Sequence, residues 1–122
     1  MAKINRFEGL HCWQEARGLV RIVYEATNKG PIAGDYDMRS QIRRAAISTM
    51  NNIAEGFGRF STKEFVRYLE ISSASASEVK SMAYIALDLE YWTEERVKEI
   101  QDKAEVVKSL DLGFIKYLKN LD

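Results

Sequence analysis

With 122 residues, 46% of them hydrophobic and 30% charged, the chain suits one globular domain over residues 1–122 with a modest core and no room for a second. A formal net charge of zero excludes the uniformly basic balance of a protein that coats nucleic acid, and the single Cys12 excludes an internal disulfide. Charged residues interrupt every apolar stretch well short of the roughly 18 residues of a membrane span, and no secretory leader pattern opens the chain, so a reducing, cytoplasmic location is expected.

Leu10, Trp13, Ala16, Leu19 or Val20, Val23, and Ala26 or Thr27 recur at spacings of three and four, which predicts a first helix over residues 8–28. The one proline, Pro31, sits among Asn28, Lys29, Gly30 and Gly34, the clearest breaker cluster in the chain, so the helix ends there. Asp35 or Asp37 can cap a second helix with the stripe Met38, Ile42, Ala45, Ala46, Thr49, Ile53 and Phe57. Gly56 and Gly58 are expected to stop it in a left-handed cap. Ser61-Thr62-Lys63-Glu64 has the capping-box pattern, in which the serine oxygen takes a free backbone N–H and the glutamate reaches back to another.

The third helix starts there and carries Phe65, Leu69, Ser72, Ala76, Val79, Ala83 and Leu87 on one side. Ile71, Met82, Ile85 and Leu89 fall nearly opposite, with successive residues placed about 100° apart. A helix apolar on two faces must bury both, either in a subunit interface or under the chain ends of the same subunit. The small residues from Ser72 to Ser77 lie inside this pattern and predict close helix approach instead of a linker. Thr93-Glu94-Glu95-Arg96 opens a fourth helix, with Val97, Ile100, Ala104, Val107, Leu110 or Asp111, Phe114, Leu118 and Leu121 spaced to face the core. Four helices, no strand pattern and short connections predict an all-α, antiparallel up-and-down four-helix bundle.

Chemistry-bearing residues are sparse. His11 and Cys12 are adjacent, so on a helix they point in different directions, and alone they lack the ligands of a zinc site or the geometry of a nucleophile and its base. Gly56-Phe57-Gly58-Arg59 is too short for a phosphate-binding loop. No cofactor or metal is therefore expected. Charge is uneven along the chain: six basic residues (Arg39, Arg43, Arg44, Arg59, Lys63, Arg67) stand against two acidic ones from Arg39 to Arg67, and six against eight from Glu90 to Asp122. That distribution can put a cationic patch on one end or face of the bundle, or can simply dress solvated helix faces. On helix two, Arg44, Ser48, Asn51 and Glu55 share an arc of roughly 60°, with Asn52 and Arg59 further round. The strip can contact a ligand, arginines on phosphate and Asn51 or Asn52 on specific hydrogen bonds, or it can fix geometry between helices or subunits.

Gln41-Ile42-Arg43-Arg44-Ala45-Ala46-Ile47-Ser48, then Asn52-Ile53-Ala54-Glu55-Gly56-Phe57-Gly58-Arg59 and Ser61-Thr62-Lys63-Glu64-Phe65, resemble the signature of the 23S rRNA intervening-sequence proteins, the four-helix bundle protein family. The matching positions are Gln41, Arg43, Arg44, Asn52, Glu55, Gly56, Gly58 and Arg59, and Leu10, Trp13, Gln14, Ala16 and Tyr24 of helix one fit as well. The resemblance implies a four-helix bundle that assembles into a ring-like homopentamer. For relatives among the accessory variability proteins of diversity-generating retroelements, it implies a basic surface that binds nucleic acid and a reverse transcriptase. It brings no enzymatic activity. The chain departs from the family pattern in the loop Gly30–Gly34 and at Ser72-Ser73-Ala74-Ser75 of helix three.

Together these readings predict a non-enzymatic, self-associating helical protein that contacts structured RNA through Arg39, Arg43, Arg44, Arg59, Lys63 and Arg67. The rival is a protein-binding adaptor, for instance for a reverse transcriptase, with no contact to nucleic acid.

Overall fold

The computed structural model describes residues 4–121. A 3₁₀ turn over Phe7–Gly9 leads into α1 (His11–Thr27), and a second one over Pro31–Gly34 leads into α2 (Tyr36–Phe57). Then follow α3 (Thr62–Asp88) and α4 (Glu94–Lys119), with no strand among the described residues. Neighbours pack in chain order and α4 closes against α1, giving the all-α antiparallel four-helix bundle that the spacing predicts.

The helix starts follow from local hydrogen bonding. The Asp35 carboxylate accepts the Met38 N–H at 3.2 Å, so Asp35 and not Asp37 caps α2. Ser61 Oγ accepts the Glu64 N–H at 3.0 Å and Thr93 Oγ1 the Arg96 N–H at 3.1 Å. The Glu64 carboxylate turns to the Ser61 hydroxyl, 3.4 Å away, instead of back to a free N–H, so only half of the expected capping box forms.

Leu19, Val23, Ile42, Ile53, Leu69, Val79, Ile100 and Val107 are wholly enclosed, each contributing about 1.5–3 kcal/mol through burial. In α4, Asp111 is the one of the two alternatives that lies fully in the core, with Leu110 half-buried; the register differs from expectation further on, where Ile115 is buried, Phe114 half-buried and Leu121 exposed. In α3 the second apolar strip is open to solvent at Ile71 (40% exposed), Ile85 (45%) and Leu89 (52%), while Met82 is buried, so the described chain covers this strip only in part.

The small residues of α3 do mark close approach. Ser48 Oγ and Ser75 Oγ lie 2.8 Å apart across α2 and α3, and Ser72 Oγ donates to Asp111 Oδ2 of α4 at 2.5 Å. The expected left-handed cap at the end of α2 is absent: Gly58 has φ −81°, and Gly30 is the described glycine with positive φ. Gly56 is helical and buried, and a Cβ there would meet Tyr68 Cβ at 2.6 Å and Phe65 Cδ1 at 2.9 Å. Its lack of a side chain serves helix packing, not backbone handedness.

Candidate nucleic-acid interface

The antiparallel order sets the six sequence-predicted cations at two separate places. Arg43 lies fourteen residues before the last residue of α2, roughly 21 Å along the axis at about 1.5 Å per residue. Near the first end Arg39 donates from Nη1 to the Ala33 carbonyl at 2.9 Å and lies over the Tyr36 ring. Arg43 donates from Nε to the buried Thr27 Oγ1 at 2.8 Å and stacks 4.2 Å from the centre of the Tyr24 ring. Both hold the α1–α2 connection. Arg44 is exposed and makes no ion pair or side-chain hydrogen bond among the described residues. The six do not form one patch.

At the other end, the turn from α2 into α3 is built on an aromatic ladder. Phe57, Phe65 and Phe114 meet edge to face with centroids 6.0 and 5.2 Å apart, joining α2, α3 and α4. Tyr117 continues the ladder 6.2 Å from Phe114 and is 61% exposed. Arg59 is held beside Tyr68, its Cζ 5.0 Å from the ring centre, donating from Nη2 to the Tyr68 hydroxyl at 2.6 Å and to Glu55 Oε1 at 3.0 Å. Lys63 and Arg67, one helical turn apart on α3, are exposed and carry no such partners among the described residues. The Phe65–Phe114 contact sets the last turn of α4 beside them, bringing exposed Lys116 and Lys119 to the same end. Residues 4–11, 55–67 and 116–121 thus gather six cations against Glu8, Glu55 and Glu64. The opposite end, residues 25–39 and 88–99, gathers eight carboxylates against four cations. The bundle is electrically polar along its axis.

The polar strip of α2 is split in the same way. Asn52 Nδ2 donates to the Ser48 carbonyl at 2.8 Å and to Ser48 Oγ at 2.9 Å, so Asn52, Ser48 and Ser75 form one chain of hydrogen bonds between α2 and α3. Gln41, Arg44 and Asn51 stay exposed. The Gln41–Arg59 motif therefore mostly builds the bundle: Arg43 closes one end, Asn52 links two helices, Gly56 lets α3 approach, and Glu55 clamps Arg59.

Elsewhere the groups with catalytic chemistry are bound to the fold. Cys12 is buried, and desolvation followed by the nearby Asp111 charge pushes its thiol up to about 12. His11 faces Glu15 at 3.8 Å. Asp111 is fully buried with Oδ1 unpartnered, and burial raises its carboxyl to about 7 against the lowering effect of the Ser72 hydrogen bond. No three His, Cys, Asp or Glu side chains converge as metal ligands among the described residues, and no described helix is long and apolar enough to cross a membrane.

The sequence matches the family model described as 23S rRNA-intervening sequence protein over residues 8–111. The chain belongs to that family. Among solved structures, a protein of unknown function from the S23 ribosomal protein family of Bacteroides thetaiotaomicron VPI-5482 has a similar backbone, with a TM-score of 0.75. It is 24% identical, with 86% of this chain and 95% of that one covered, and at that identity the likeness shows the fold alone. No curated protein matches the chain. For this member of the intervening-sequence family, Phe60, Lys116, Tyr117 and Lys119 join the candidate surface although charge counted along the sequence assigns the last three to an acidic segment. Pairing the end of an antiparallel α4 with the start of α3 is the signal that finds them.

Proposed function

We propose that this protein binds structured RNA without catalysing a reaction, through the basic end formed by Lys63, Arg67, Lys116 and Lys119, and that it does so as an assembly of its own copies in the cytoplasm. The observation that carries the reading is the charge polarity of the bundle, which concentrates unpaired cations at one end of a chain with zero net charge. Arg44, about 20 Å along α2 from that end, stands outside this surface. Arg39, Arg43 and Arg59 act through structure, since their guanidinium groups are already engaged. Self-association is supported by the open strip Ile71, Ile85 and Leu89 on α3, and the family resemblance favours a ring-like homopentamer as its form.

The test is binding of the assembled protein to a hairpin fragment of 23S rRNA across a salt series, with assembly mass followed by light scattering. Wild type binds more weakly as salt rises, and Lys63→Ala/Arg67→Ala lowers the log–log salt slope by roughly 1.5–2 while keeping the assembly intact. Arg43→Ala instead loses about 1–2 kcal/mol of stability and leaves the slope unchanged. An intact assembly that binds no RNA at any salt overturns the reading in favour of a protein-binding adaptor, for instance for a reverse transcriptase, docked on the α3 strip.

A further inference from the structure

Phe60 stands at the tip of the basic end with its side chain fully in solvent, 107% exposed. It belongs to neither the core nor the aromatic ladder beneath it, in contrast to Phe57 three residues earlier. Its backbone is anchored on both sides. The Gly58 and Arg59 N–H groups bond back to the Glu55 and Gly56 carbonyls, Arg59 is clamped by Glu55 and Tyr68, and Ser61 caps α3. A ring held out on a fixed turn forgoes the stabilisation that burial gives a phenylalanine, so the fold gains nothing from it.

Its surroundings decide what could cover it. Arg59 precedes it, Lys63 follows in the first turn of α3 with Arg67 a turn beyond, and Lys116 and Lys119 share the end. An apolar protein surface would have to strip water from these cations without repaying them. A polyanion with flat apolar faces satisfies both features, and that is a nucleic-acid strand with an accessible base. Paired bases hide their faces in the helix stack, so the accessible base is an unpaired one in a loop or bulge. We propose that Phe60 is a stacking platform for an unpaired base of bound RNA, with Lys63 and Arg67 holding the flanking phosphates. This rests on the RNA-binding reading above and adds which part of a structured RNA the protein prefers.

Two RNA probes of equal length and charge separate the two ideas: a hairpin with an unpaired loop and a fully paired duplex. Wild type prefers the hairpin. Phe60→Ala and Phe60→Leu weaken hairpin binding roughly ten- to hundredfold and leave duplex binding and the salt slope unchanged. Phe60→Trp restores the preference, and its indole fluorescence is quenched by the hairpin alone, against a background of buried Trp13 and Trp92. If neither RNA binds wild type, the RNA reading itself fails and takes the platform with it. If both bind and Phe60→Ala changes nothing, the platform alone is overturned. A shift in assembly mass on Phe60→Ala also overturns it, because the ring then seats on a second copy of the chain.

Discussion

At the end of the bundle formed by the α1–α2 and α3–α4 connections, polar and aromatic side chains are turned inward and joined. Trp92 donates its indole N–H to the Ala26 carbonyl at 2.9 Å in a buried bond, Tyr91 donates to Asp35 Oδ2 at 2.7 Å, and Arg39 and Arg43 close on Ala33 and Thr27. At the α2–α3 end, beyond the packed Phe57, Phe65 and Phe114 rings, Phe60 and Tyr117 face water, and four lysines and arginines there make no described ion pair. Among the described cations of the α2–α3 turn itself, Arg59 is the one tied down. The contrast teaches that a cation near a family motif says little until its partners are counted, because Arg43 and Lys63 both carry a positive charge and, of the two, Lys63 is the one without a described partner.

The largest effect that would break this comparison is at Trp92. Trp92→Ala should cost about 3–5 kcal/mol, from lost burial and an abandoned Ala26 carbonyl, which a thermal melt reads as a fall on the order of 10–20 °C. Phe60→Ala at the other end should stay within about 0.5 kcal/mol of wild type. Equal losses at both sites would mean that the open end carries as much structure as the closed one.

Next in size is the buried carboxyl of Asp111 beneath the open end. The folded pKa of Asp111, about 7, lies above its ordinary 3.8, so the folded chain holds a proton that the unfolded chain has lost between those values. Its contribution is full below about pH 4 and is lost as pH rises through about 7, on the order of a few kcal/mol in all. Asp111→Asn should flatten that decline and raise the melting temperature above pH 7, leaving the Ser72 contact available. Melts of the two proteins at pH 5 and pH 8 that differ by the same amount would show that Asp111 stays ionised in the fold.

How much of this was legible in the sequence depends on whether the deciding forces are local. The helices, the caps at Ser61 and Thr93 and most of the core stripes are legible, because apolar period and capping chemistry act within a few residues of each other. Gly56 reads as a helix stop for the same local reason, yet its cause is Tyr68, which reaches it only after α3 folds back. Asp111 is obscured by Leu110: either fits the period, and the choice is made by Ser72 across the interhelical space. The basic surface is harder still. Counting charge along the chain joins Arg39 to Arg67 and separates Lys116 from both, whereas antiparallel packing does the reverse.

The smallest expected effect lies at the close of α3, where the tied end keeps a cost that its contacts override. Glu90 adopts φ +58°, the left-handed region where a side chain costs about 1 kcal/mol, and it does so because the Tyr91 N–H turns back to the Ala86 carbonyl at 2.8 Å. That bond aims Tyr91 and Trp92 at Asp35 and Ala26, so the strain is sustained by the contacts it makes possible. Glu90→Gly should therefore stabilise the protein by about 0.5–1 kcal/mol, and Glu90→Ala should not. A thermal melt distinguishes them. If glycine gains nothing, the Trp92 and Tyr91 anchors do not depend on this turn, and the closed end owes its rigidity to Arg39 and Arg43 instead.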